Sequence, residues 1–337
     1  MFSKVLIANR GDVALRVLRA CKELNIKTVA IHSTADSEAI HVRLADESVC
    51  IGPAPSSKSY LNIPAIITAA QLVGADAIHP GVGFLSENSD FAKIVEAHNI
   101  VFIGPKSEHI RCMGDKIEAK LTAQKLGIPL VPGSKTDITN FQIALKEAKK
   151  IGYPVLIKAA SGGGGRGMKV AQNEEELESA FTPAKSEAKA AFGDDRVYIE
   201  KYLQKPRHIE VQIIADKFGN TVHLGERECS IQRRHQKVIE EAPSPVIDNK
   251  TRNMIGEIAS NAVSKMDYLG LGTIEFLYED NQFFFIEMNT RLQVEHPITE
   301  AITGIDLVRE QILIAAGYPL SFKQKDIQFK GHAIECR

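Results

Sequence analysis

The sequence predicts an α/β protein in which a doubly wound parallel sheet at the N-terminus is followed by a largely antiparallel region. Three observations support this class. Buried strands alternate with amphipathic helices through residues 1–114, a compact insert with a glycine-rich loop covers residues 133–202, and polar and apolar residues alternate along strands in residues 207–290. Repeated strand–helix units favour a parallel sheet, whereas strands joined by short turns favour an antiparallel one.

Residues 1–114 are predicted to form βα units joined by right-handed crossovers. The strands are expected at residues 4–8, 27–32, 75–78 and 100–103, and the helices at residues 12–24, 63–72 and 90–98. Gly11 follows the first strand, as in dinucleotide-binding proteins. The G-x-G-x-x-G pattern is missing, however, and this argues against a dehydrogenase.

The insert at residues 133–202 follows a predicted helix at residues 116–127 and a break at Pro129, Pro132 and Gly133. Proline and glycine in this density interrupt regular structure. Inside the insert we expect, in order, a helix at 140–150, a strand at 153–159, the glycine-rich loop, a strand at 168–171, a helix at 174–192 and a strand at 197–200. Two strands that flank a loop predict a small α/β lid.

The region after the insert is predicted to be an antiparallel sheet with two further helices. We expect strands at residues 207–214, 221–228, 273–278 and 282–289, and helices at residues 251–267 and 306–316. The sequence stops at Arg337, directly after the strand-like segment GHAIECR. Because a domain seldom ends on a strand, we expect the natural protein to continue.

Composition excludes several classes of protein. The chain has 337 residues, 44% hydrophobic and 25% charged, with a net charge of −1, so a bulk attraction to nucleic acid or to an anionic membrane is not expected. The N-terminus lacks the features of a secretory signal, and its apolar runs are shorter than the roughly 18 residues of a membrane span. The five cysteines have no paired spacing. These features predict a cytoplasmic protein with free thiols.

The glycine-rich loop at residues 162–167 predicts a phosphate-binding site. Five glycines in six positions allow backbone N–H groups to approach a phosphate chain, and Lys158 at the end of the preceding strand supplies a charge. The loop is not a Walker A motif, because it joins two strands. A hairpin tip without a ligand is the simpler alternative. The strand exit at residues 197–203, VYIEKYL, can supply backbone groups that read an adenine edge.

A basic segment at residues 227–237, RECSIQRRHQK, has three possible interpretations. Its basic residues are Arg227, Arg233, Arg234, His235 and Lys237. They form a solvated face, a nucleic-acid patch or a site that collects anionic substrates. Glutamates bracket the segment and aromatic residues are missing from it, so nucleic acid is disfavoured and anionic substrates are favoured.

The hairpin at residues 273–289 predicts a divalent-metal site. Alternation places Glu287, Asn289 and Arg291 on one face, and a three-residue loop would set Glu275 opposite Glu287. Carboxylate and amide oxygens suit Mg²⁺ or Mn²⁺. An acidic edge without metal is the alternative. Glu295 lies close to Arg291 in sequence, as a general base would, although a structural Arg–Glu pair fits equally well.

These stretches together resemble the biotin carboxylase family of ATP-grasp ligases, and the resemblance extends from residue 1 to residue 337. The motifs that carry it are VLIANRG, AIHPGVGFLSEN, KAASGGGGRGM, RHIEVQI, ERECSIQRRHQK and EMNTRLQVEHPITE. The resemblance implies a pre-ATP-grasp domain, residues 1–114, and an ATP-grasp domain, residues 115–330, with a mobile lid at about 133–202. Residues 331–337 would begin a truncated C-terminal domain.

The resemblance also implies roles for individual residues. ATP would be held by Lys116, Lys158, Gly164, Gly165, Glu200, Lys201, Leu203, His208, Gln232 and His235, and Glu275 and Glu287 would also belong to the cofactor site. The metal ligands would be Glu275, Glu287 and Asn289. The bicarbonate pocket would be formed by Lys237, Arg291, Gln293 and Val294. Glu295 would deprotonate bicarbonate, and Arg337 would contact bicarbonate and biotin and stabilise the biotin enolate.

The implied reaction is ATP-dependent carboxylation of biotin with bicarbonate, through carboxyphosphate, as the first half-reaction of an enzyme such as acetyl-CoA carboxylase. The implied partners are a biotinylated carrier protein, a carboxyltransferase component and a second copy of the full-length chain. Two departures from the family pattern are Val82, where tyrosine is usual, and Asp12, where glutamate is common. The alternatives are another ATP-grasp ligase, such as a carbamoyl-phosphate synthase, and a nucleotide-binding module without turnover.

Overall fold

The computed structural model of the protein describes residues 1–134, 136–161, 168–234 and 236–337. The first region is a parallel sheet with helices on both faces. Its strands are β1 Lys4–Ile7, β2 Lys27–Ser33, β3 Glu47–Gly52, β4 Ala77–His79 and β5 Val101–Phe102. Its helices are α1 Gly11–Glu23, α2 Ile40–Leu44, α3 Ile63–Val73, α4 Ser89–Ala97 and α5 Ser107–Gly114. The strand order is β3-β2-β1-β4-β5, and every pairing is parallel.

This order confirms the predicted doubly wound sheet, but the sequence reasoning missed β3, α2 and α5. β3 lies at the edge of the sheet, and only Ile51 among its six residues is buried. An edge strand of this kind lacks the apolar run that identifies a buried strand. α2 has five residues, too few to show a helical period. Local capping marks α3 and α4 more clearly: the side chains of Asn62 and Asn88 accept hydrogen bonds at the N-termini of these two helices.

The insert contains a three-stranded sheet packed against two helices. α6 Lys116–Leu126 precedes the insert, and the elements of the insert are α7 Phe141–Ile151, β6 Val155–Ala159, β7 Lys169–Ala171, α8 Glu174–Phe192 and β8 Val197–Lys201. The sheet has the order β7-β6-β8 and is antiparallel throughout. It has a hydrophobic core of its own, in which Val155, Ile157 and Ile199 pack against Leu177 and Phe181 of α8. The predicted α/β insert is thus present.

The remaining residues form a six-stranded antiparallel sheet. Its strands are β9 Arg207–Ala215, β10 Thr221–Arg233, β11 Gln236–Ala242, β12 Gly270–Glu279, β13 Gln282–Asn289 and β14 Ala333–Cys336. Its helices are α9 Asn249–Lys265, α10 His296–Thr303 and α11 Leu307–Ala315. The order is β13-β12-β9-β10-β11-β14. β11 and α10 were not predicted, and β10 continues five residues beyond its predicted end at residue 228, to Arg233.

One hydrophobic cluster joins the parallel sheet to the antiparallel sheet. Val5 and Ile7 of β1 and Val17 of α1 belong to the same cluster as Leu271 of β12 and Leu307 of α11. The shared core fixes the N-terminal region against the six-stranded sheet, since apolar side chains on both sides are removed from water together. Among the described residues, none of the helices combines the length and the apolar character that crossing a membrane requires.

Candidate active site

A cleft of about 1250 Å³ lies between the three-stranded sheet of the insert and the six-stranded sheet. It brings together sixteen of the site residues predicted from sequence. They are Lys116, Lys158, Glu200, Lys201, Leu203, His208, Gln232, Lys237, Glu275, Glu287, Asn289, Arg291, Gln293, Val294, Glu295 and Arg337. The remaining three, Gly164, Gly165 and His235, lie outside the described residues together with the rest of the glycine-rich loop.

Glu275 and Glu287 face each other across β12 and β13, as predicted, but the loop is shorter than expected. The turn is the pair Asp280–Asn281, both residues with positive φ, and Glu279 pairs with Gln282. A β-bulge at Ile286 then shifts the register by one residue and sets Glu275 opposite Glu287. The bulge also changes the predicted alternation, because Ile286 lines the cleft next to Glu287.

Glu275 is buried and holds four polar partners. His208 Nε2 lies 2.6 Å from Oε2, while Lys237 Nζ, Asn289 Nδ2 and Gln293 Nε2 lie 2.9, 2.7 and 3.0 Å from Oε1. Burial acts to raise the pKa of Glu275, but the charges of Lys237 and His208 outweigh burial and lower it well below its usual range. Glu275 is therefore a carboxylate at neutral pH.

Glu287 has a more open environment on the same face of the hairpin. Its Oε2 lies 3.5 Å from Lys116 Nζ, and its side chain is 35% exposed to the cleft. Asn289 Oδ1 accepts a hydrogen bond of 2.7 Å from Arg291. Two opposed carboxylates and an amide, all at the cleft surface, form the hard-oxygen donor set that Mg²⁺ prefers. The residues present therefore fit a divalent cation, which would take over charge that Lys237 and Lys116 now neutralise.

Lys237 is the centre of an ion-pair network at the floor of the cleft. Its Nζ donates to Glu210 Oε2, to Glu275 Oε1 at 2.9 Å and to Glu295 Oε1 at 2.7 Å. Burial acts to lower the pKa of Lys237, but the three carboxylates outweigh burial and raise it. Three carboxylates around one ammonium carry a net negative charge, which favours the binding of a further cation. Glu210, which the sequence reasoning did not single out, has a pKa lowered to about 2, against burial, by Lys237 and Arg227.

Arg227 corrects the interpretation of the basic segment. It is fully buried, with Nε 2.6 Å from Glu210 Oε1, and donates to Gln212 and Gln293 at 2.7 and 2.6 Å. Arg227 is thus a structural cation beneath the floor of the cleft and cannot collect anions from solvent. Arg227 points inward because side chains alternate between the two faces of β10. This alternation was overlooked because the many charged residues of the segment suggested an exposed surface.

Arg291 contacts Glu87 from the N-terminal region. Arg291 Nε lies 2.7 Å from Glu87 Oε2, and the backbone N–H of Thr290 donates to Glu87 Oε1 at 3.1 Å. Within the part of the chain that the structure describes, Arg291 and Glu295 do not pair, so the interpretation of these two residues as a structural Arg–Glu pair was wrong. Glu87 could not be found from sequence, since the two residues are 204 positions apart.

Glu295 lies between two cations at the edge of the cleft. Oε1 accepts from Lys237, and Oε2 accepts from Arg337 at 2.8 Å. Arg337 Nε also lies 2.7 Å from Oε1 of the buried Glu240. Glu335 pairs with Glu240 across β11 and β14, and burial followed by the charge of Glu240 raises the pKa of Glu335 to about 7. Arg337 therefore lies among three acidic side chains.

The other end of the cleft combines positive charge with apolar walls. Lys158 Nζ lies 2.9 Å from Glu200 Oε2, and Gln232 Nε2 lies 3.1 Å from His208 Nδ1. Lys201 Nζ donates to backbone carbonyls of the insert at 2.9 and 3.0 Å, which anchors the strand exit. The apolar lining includes Val131, Leu156, Leu203, Leu277 and Ile286. A ligand with a flat apolar ring and charged phosphates fits this combination of apolar walls and positive charge.

Val82 lies where the N-terminal region meets the cleft. It lines the cleft near Arg291 and Val294, and its carbonyl accepts a hydrogen bond of 2.8 Å from Asn9. Asp12 lies in the first turn of α1, away from the cleft lining. Of the two departures from the family pattern, only Val82 adjoins the site.

Comparison with known proteins agrees with this geometry. Residues 1–110 match the family model for the biotin carboxylase N-terminal domain, and residues 115–323 match the model for the carbamoyl-phosphate synthase L chain ATP-binding domain. The biotin carboxylase of Haemophilus influenzae is 62% identical over 338 residues, covering 100% of this chain and 75% of that protein.

Two solved structures are similar over the whole chain. The biotin carboxylase–β,γ-ATP complex from Campylobacter jejuni has a TM-score of 0.97 at 54% identity, and this chain covers 76% of it. The biotin carboxylase domain dimer of Hydrogenobacter thermophilus 2-oxoglutarate carboxylase, in complex with MgADP, ADP and bicarbonate, has a TM-score of 0.96 at 50% identity, with 74% of that chain covered.

Proposed function

The chain belongs to the biotin carboxylase family, and we propose that its central cleft is where ATP, bicarbonate and biotin react. Its activity is the ATP-dependent carboxylation of biotin by bicarbonate. The observation that carries the assignment of this cleft is the convergence of four side chains, Lys237, Arg291, Glu295 and Arg337, next to the opposed carboxylates of β12 and β13.

The nucleotide occupies the end of the cleft near the insert. Lys116 and Lys158 face the phosphates, Glu200, Lys201 and Leu203 line the adenine position, and His208 and Gln232 contact the ribose side of the nucleotide. Gly164, Gly165 and His235 complete the set. This arrangement is supported by the combination of apolar walls with the charges of Lys116 and Lys158 at this end of the cleft.

Glu275, Glu287 and Asn289 hold a Mg²⁺ or Mn²⁺ ion. When bound, the ion neutralises the charge of the transferring phosphoryl group. The Lys237 ammonium already lies 2.9 Å from Glu275, which supports a cation position beside this carboxylate.

Bicarbonate binds beside Lys237, Arg291, Gln293 and Val294, where positive charge offsets its own. Glu295 removes the bicarbonate proton, and the two cations that hold its oxygens keep it aimed at the anion. An oxygen of the deprotonated anion then attacks the γ-phosphorus. A new P–O bond forms, the bond between the β–γ bridging oxygen and the γ-phosphorus breaks, and carboxyphosphate and ADP result.

Biotin is carboxylated in the second step. The C–O bond of carboxyphosphate breaks to give CO₂ and phosphate, and the phosphate takes the N1′ proton of biotin. Arg337 stabilises the resulting enolate oxygen, and N1′ forms the bond to CO₂. The insert at residues 133–202 closes over the cleft as a lid and excludes water from the reactive intermediate.

The domain boundaries that fit this reaction are residues 1–114 for the N-terminal biotin carboxylase domain and residues 115–330 for the ATP-grasp domain. The hydrophobic core of the insert supports the lid at about 133–202 as a separate packing unit. We also propose that residues 331–337, whose strand β14 pairs with β11 at the edge of the large sheet, begin a C-terminal biotin carboxylase domain.

The chain belongs with biotin-dependent carboxylases, and we propose three partners for it. These are a biotinylated carrier protein, a carboxyltransferase component and a second copy of the full-length chain. The final carboxyl acceptor is acetyl-CoA, another acyl-CoA or pyruvate, and that choice belongs to the carboxyltransferase component. We propose a cytoplasmic location, which the five free cysteines support.

The test is ATP cleavage by the purified protein with bicarbonate, in the presence and absence of free biotin. We expect hydrolysis that depends on bicarbonate and rises when biotin is added. A carbamoyl-phosphate synthase would instead respond to ammonia, and a nucleotide-binding module would bind ATP without turnover. Failure of biotin to stimulate the bicarbonate-dependent reaction would exclude the proposed function of the cleft.

A further inference from the structure

A second cavity of about 320 Å³ lies behind the nucleotide end of the cleft. It is bounded by α6, the segment from Ile128 to Ser134, and β8. Glu200 lines both the cavity and the cleft, whereas Lys158 lines only the cleft and Lys120 lines only the cavity. The carboxylate of Glu200 thus separates the cleft from the cavity, with Lys158 on the cleft side and Lys120 on the cavity side.

The three charged groups are in direct contact. Lys158 Nζ lies 2.9 Å from Glu200 Oε2, and Lys120 Nζ donates to Oε1 of the same carboxylate. The side chains of Lys120, Lys158 and Glu200 are 13%, 16% and 5% exposed. Lys120 Nζ also lies 3.7 Å from the centroid of the Tyr198 ring, and this cation–π contact holds the ammonium on the cavity side of Glu200.

We propose that Lys120 is a positioning residue for nucleotide binding, which holds Glu200 from behind so that Lys158 keeps its positive charge for the phosphates. One carboxylate between two ammonium groups leaves a net charge of about +1 beside the cleft. Without Lys120, Glu200 and Lys158 would cancel each other. Buried charges are screened little by solvent, so the loss of one charge here affects an anionic ligand strongly. This inference rests on the proposed function.

The same geometry gives the nucleotide site a dependence on pH. Burial lowers the pKa of Lys120 to about 8. The positive charges of Lys158 on β6 and of Lys116 on the same helix as Lys120 also lower this pKa, whereas the carboxylate of Glu200 on β8 raises it. The ring of Tyr198 faces Lys120 from the same strand. The carboxylate of Glu200 raises the pKa of Lys158 above its usual range, against burial, so Lys158 stays charged where Lys120 does not. As the pH rises through about 8, Lys120 loses its proton and the net charge of +1 falls towards zero.

The experiment is calorimetric titration of the protein with MgATP at pH 7.5 and pH 9.5. The variants are Lys120→Met, Lys120→Arg and, as the matched control, Lys125→Met, which lies exposed on the same helix. We expect Lys120→Met to weaken binding about tenfold at pH 7.5, and wild-type binding to weaken by a similar factor at pH 9.5. Lys120→Arg should bind MgATP at both pH values as tightly as wild type binds it at pH 7.5, because its guanidinium stays charged. The control should follow wild type.

Each outcome separates this inference from the proposed function. If wild-type protein fails to bind MgATP at pH 7.5, the proposed function is wrong. If wild-type binds and Lys120→Met binds within twofold of it, Lys120 has no positioning role. Should Lys120→Met fail to fold, as judged by circular dichroism, the wild-type titration decides: equal affinity at the two pH values would overturn the inference.

Discussion

At the scale of single residues, the site is built from charges that balance each other before any ligand binds. Lys237 contacts three carboxylates, Glu295 contacts two cations, and Glu275 has four polar partners. Such a network fixes each side chain in position, because moving one group leaves its partners buried without a counter-charge. Bicarbonate and phosphate thus enter a site whose positive groups are already oriented.

The role of Glu295 as base gives a prediction for Glu295→Gln. The amide keeps the shape of the side chain but cannot take a proton, so we expect kcat for biotin carboxylation to fall about 10²–10⁴-fold. The affinity for ATP should stay within a few fold, since Glu295 lies at the opposite end of the cleft from Lys158. The measurement is transfer of labelled carbon from bicarbonate to biotin, with ATP affinity measured in parallel.

The matched control for this substitution is Glu178→Gln, the same chemical change at an exposed position on α8. It should leave both quantities unchanged. Arg291→Ala should behave like Glu295→Gln, because Arg291 belongs to the proposed bicarbonate pocket. A large loss of ATP binding in either site variant would contradict the assigned roles.

At the scale of secondary structure, the sequence predicted the elements with strong periodicity and missed those where charge or an edge position hid the pattern. α8 was predicted with the bounds that it has, since nineteen residues carry many helical periods. β11 was missed because three of the seven residues in its segment, QKVIEEA, are charged, and their partners include Glu210 of β9 and Arg337, the residue after β14. The bulge at Ile286 likewise has no local signal, and the metal face depends on it.

The contact between α9 and β10 gives a prediction for Gly256→Ala. Alanine is favoured over glycine by up to about 1 kcal/mol in a free helix. At this position, however, a Cβ would overlap the ring of the buried His223 on β10. Overpacking costs typically 1–3 kcal/mol, so we expect a lower unfolding temperature than that of wild type.

The control is Asn253→Ala, an exposed position on the same helix without such a neighbour. It should leave the unfolding temperature unchanged or raise it slightly. Both variants are measured by thermal unfolding followed by circular dichroism. If Gly256→Ala unfolds at a higher temperature than wild type, the close approach of α9 to β10 is not as described.

At the scale of the whole molecule, the sequence predicted the residues that line the cleft. It did not predict the partner residues that hold them in place. The resemblance placed sixteen residues that now line one cleft. Glu210, Glu87 and Lys120 carry no such signal, because each acts through a residue far away in sequence. Long-range partners of this kind are fixed by tertiary packing, to which local periodicity is blind.

Two buried histidines where the N-terminal region meets α10 are expected to make the folded protein less stable in acid. Burial lowers the pKa of His79 to about 3 and that of His296 to about 4. In the unfolded chain both have a pKa near 6.5, so between pH 6.5 and 4 the unfolded state binds more protons than the folded state. Stability contributed by the neutral rings is therefore complete above pH 6.5 and falls as the pH drops through this window.

We expect the unfolding temperature of wild-type protein to fall between pH 7 and pH 5, measured by calorimetry. His296→Gln should show a smaller fall over the same range, although it starts from a lower value. His98→Gln, at an exposed position, should follow wild type. A wild-type unfolding temperature that does not change between pH 7 and pH 5 would contradict the burial of these two rings.

The most direct test of the proposed reaction follows the oxygen atoms of bicarbonate. In the proposed reaction, a bicarbonate oxygen attacks the γ-phosphorus and remains on phosphorus when the C–O bond of carboxyphosphate breaks. With ¹⁸O-labelled bicarbonate, ATP and biotin, we expect each phosphate released to carry one ¹⁸O atom while the carbon appears in carboxybiotin, both measured by mass spectrometry. Phosphate whose one added oxygen comes from solvent water, and not from bicarbonate, would show direct hydrolysis of ATP and would contradict carboxylation through this cleft.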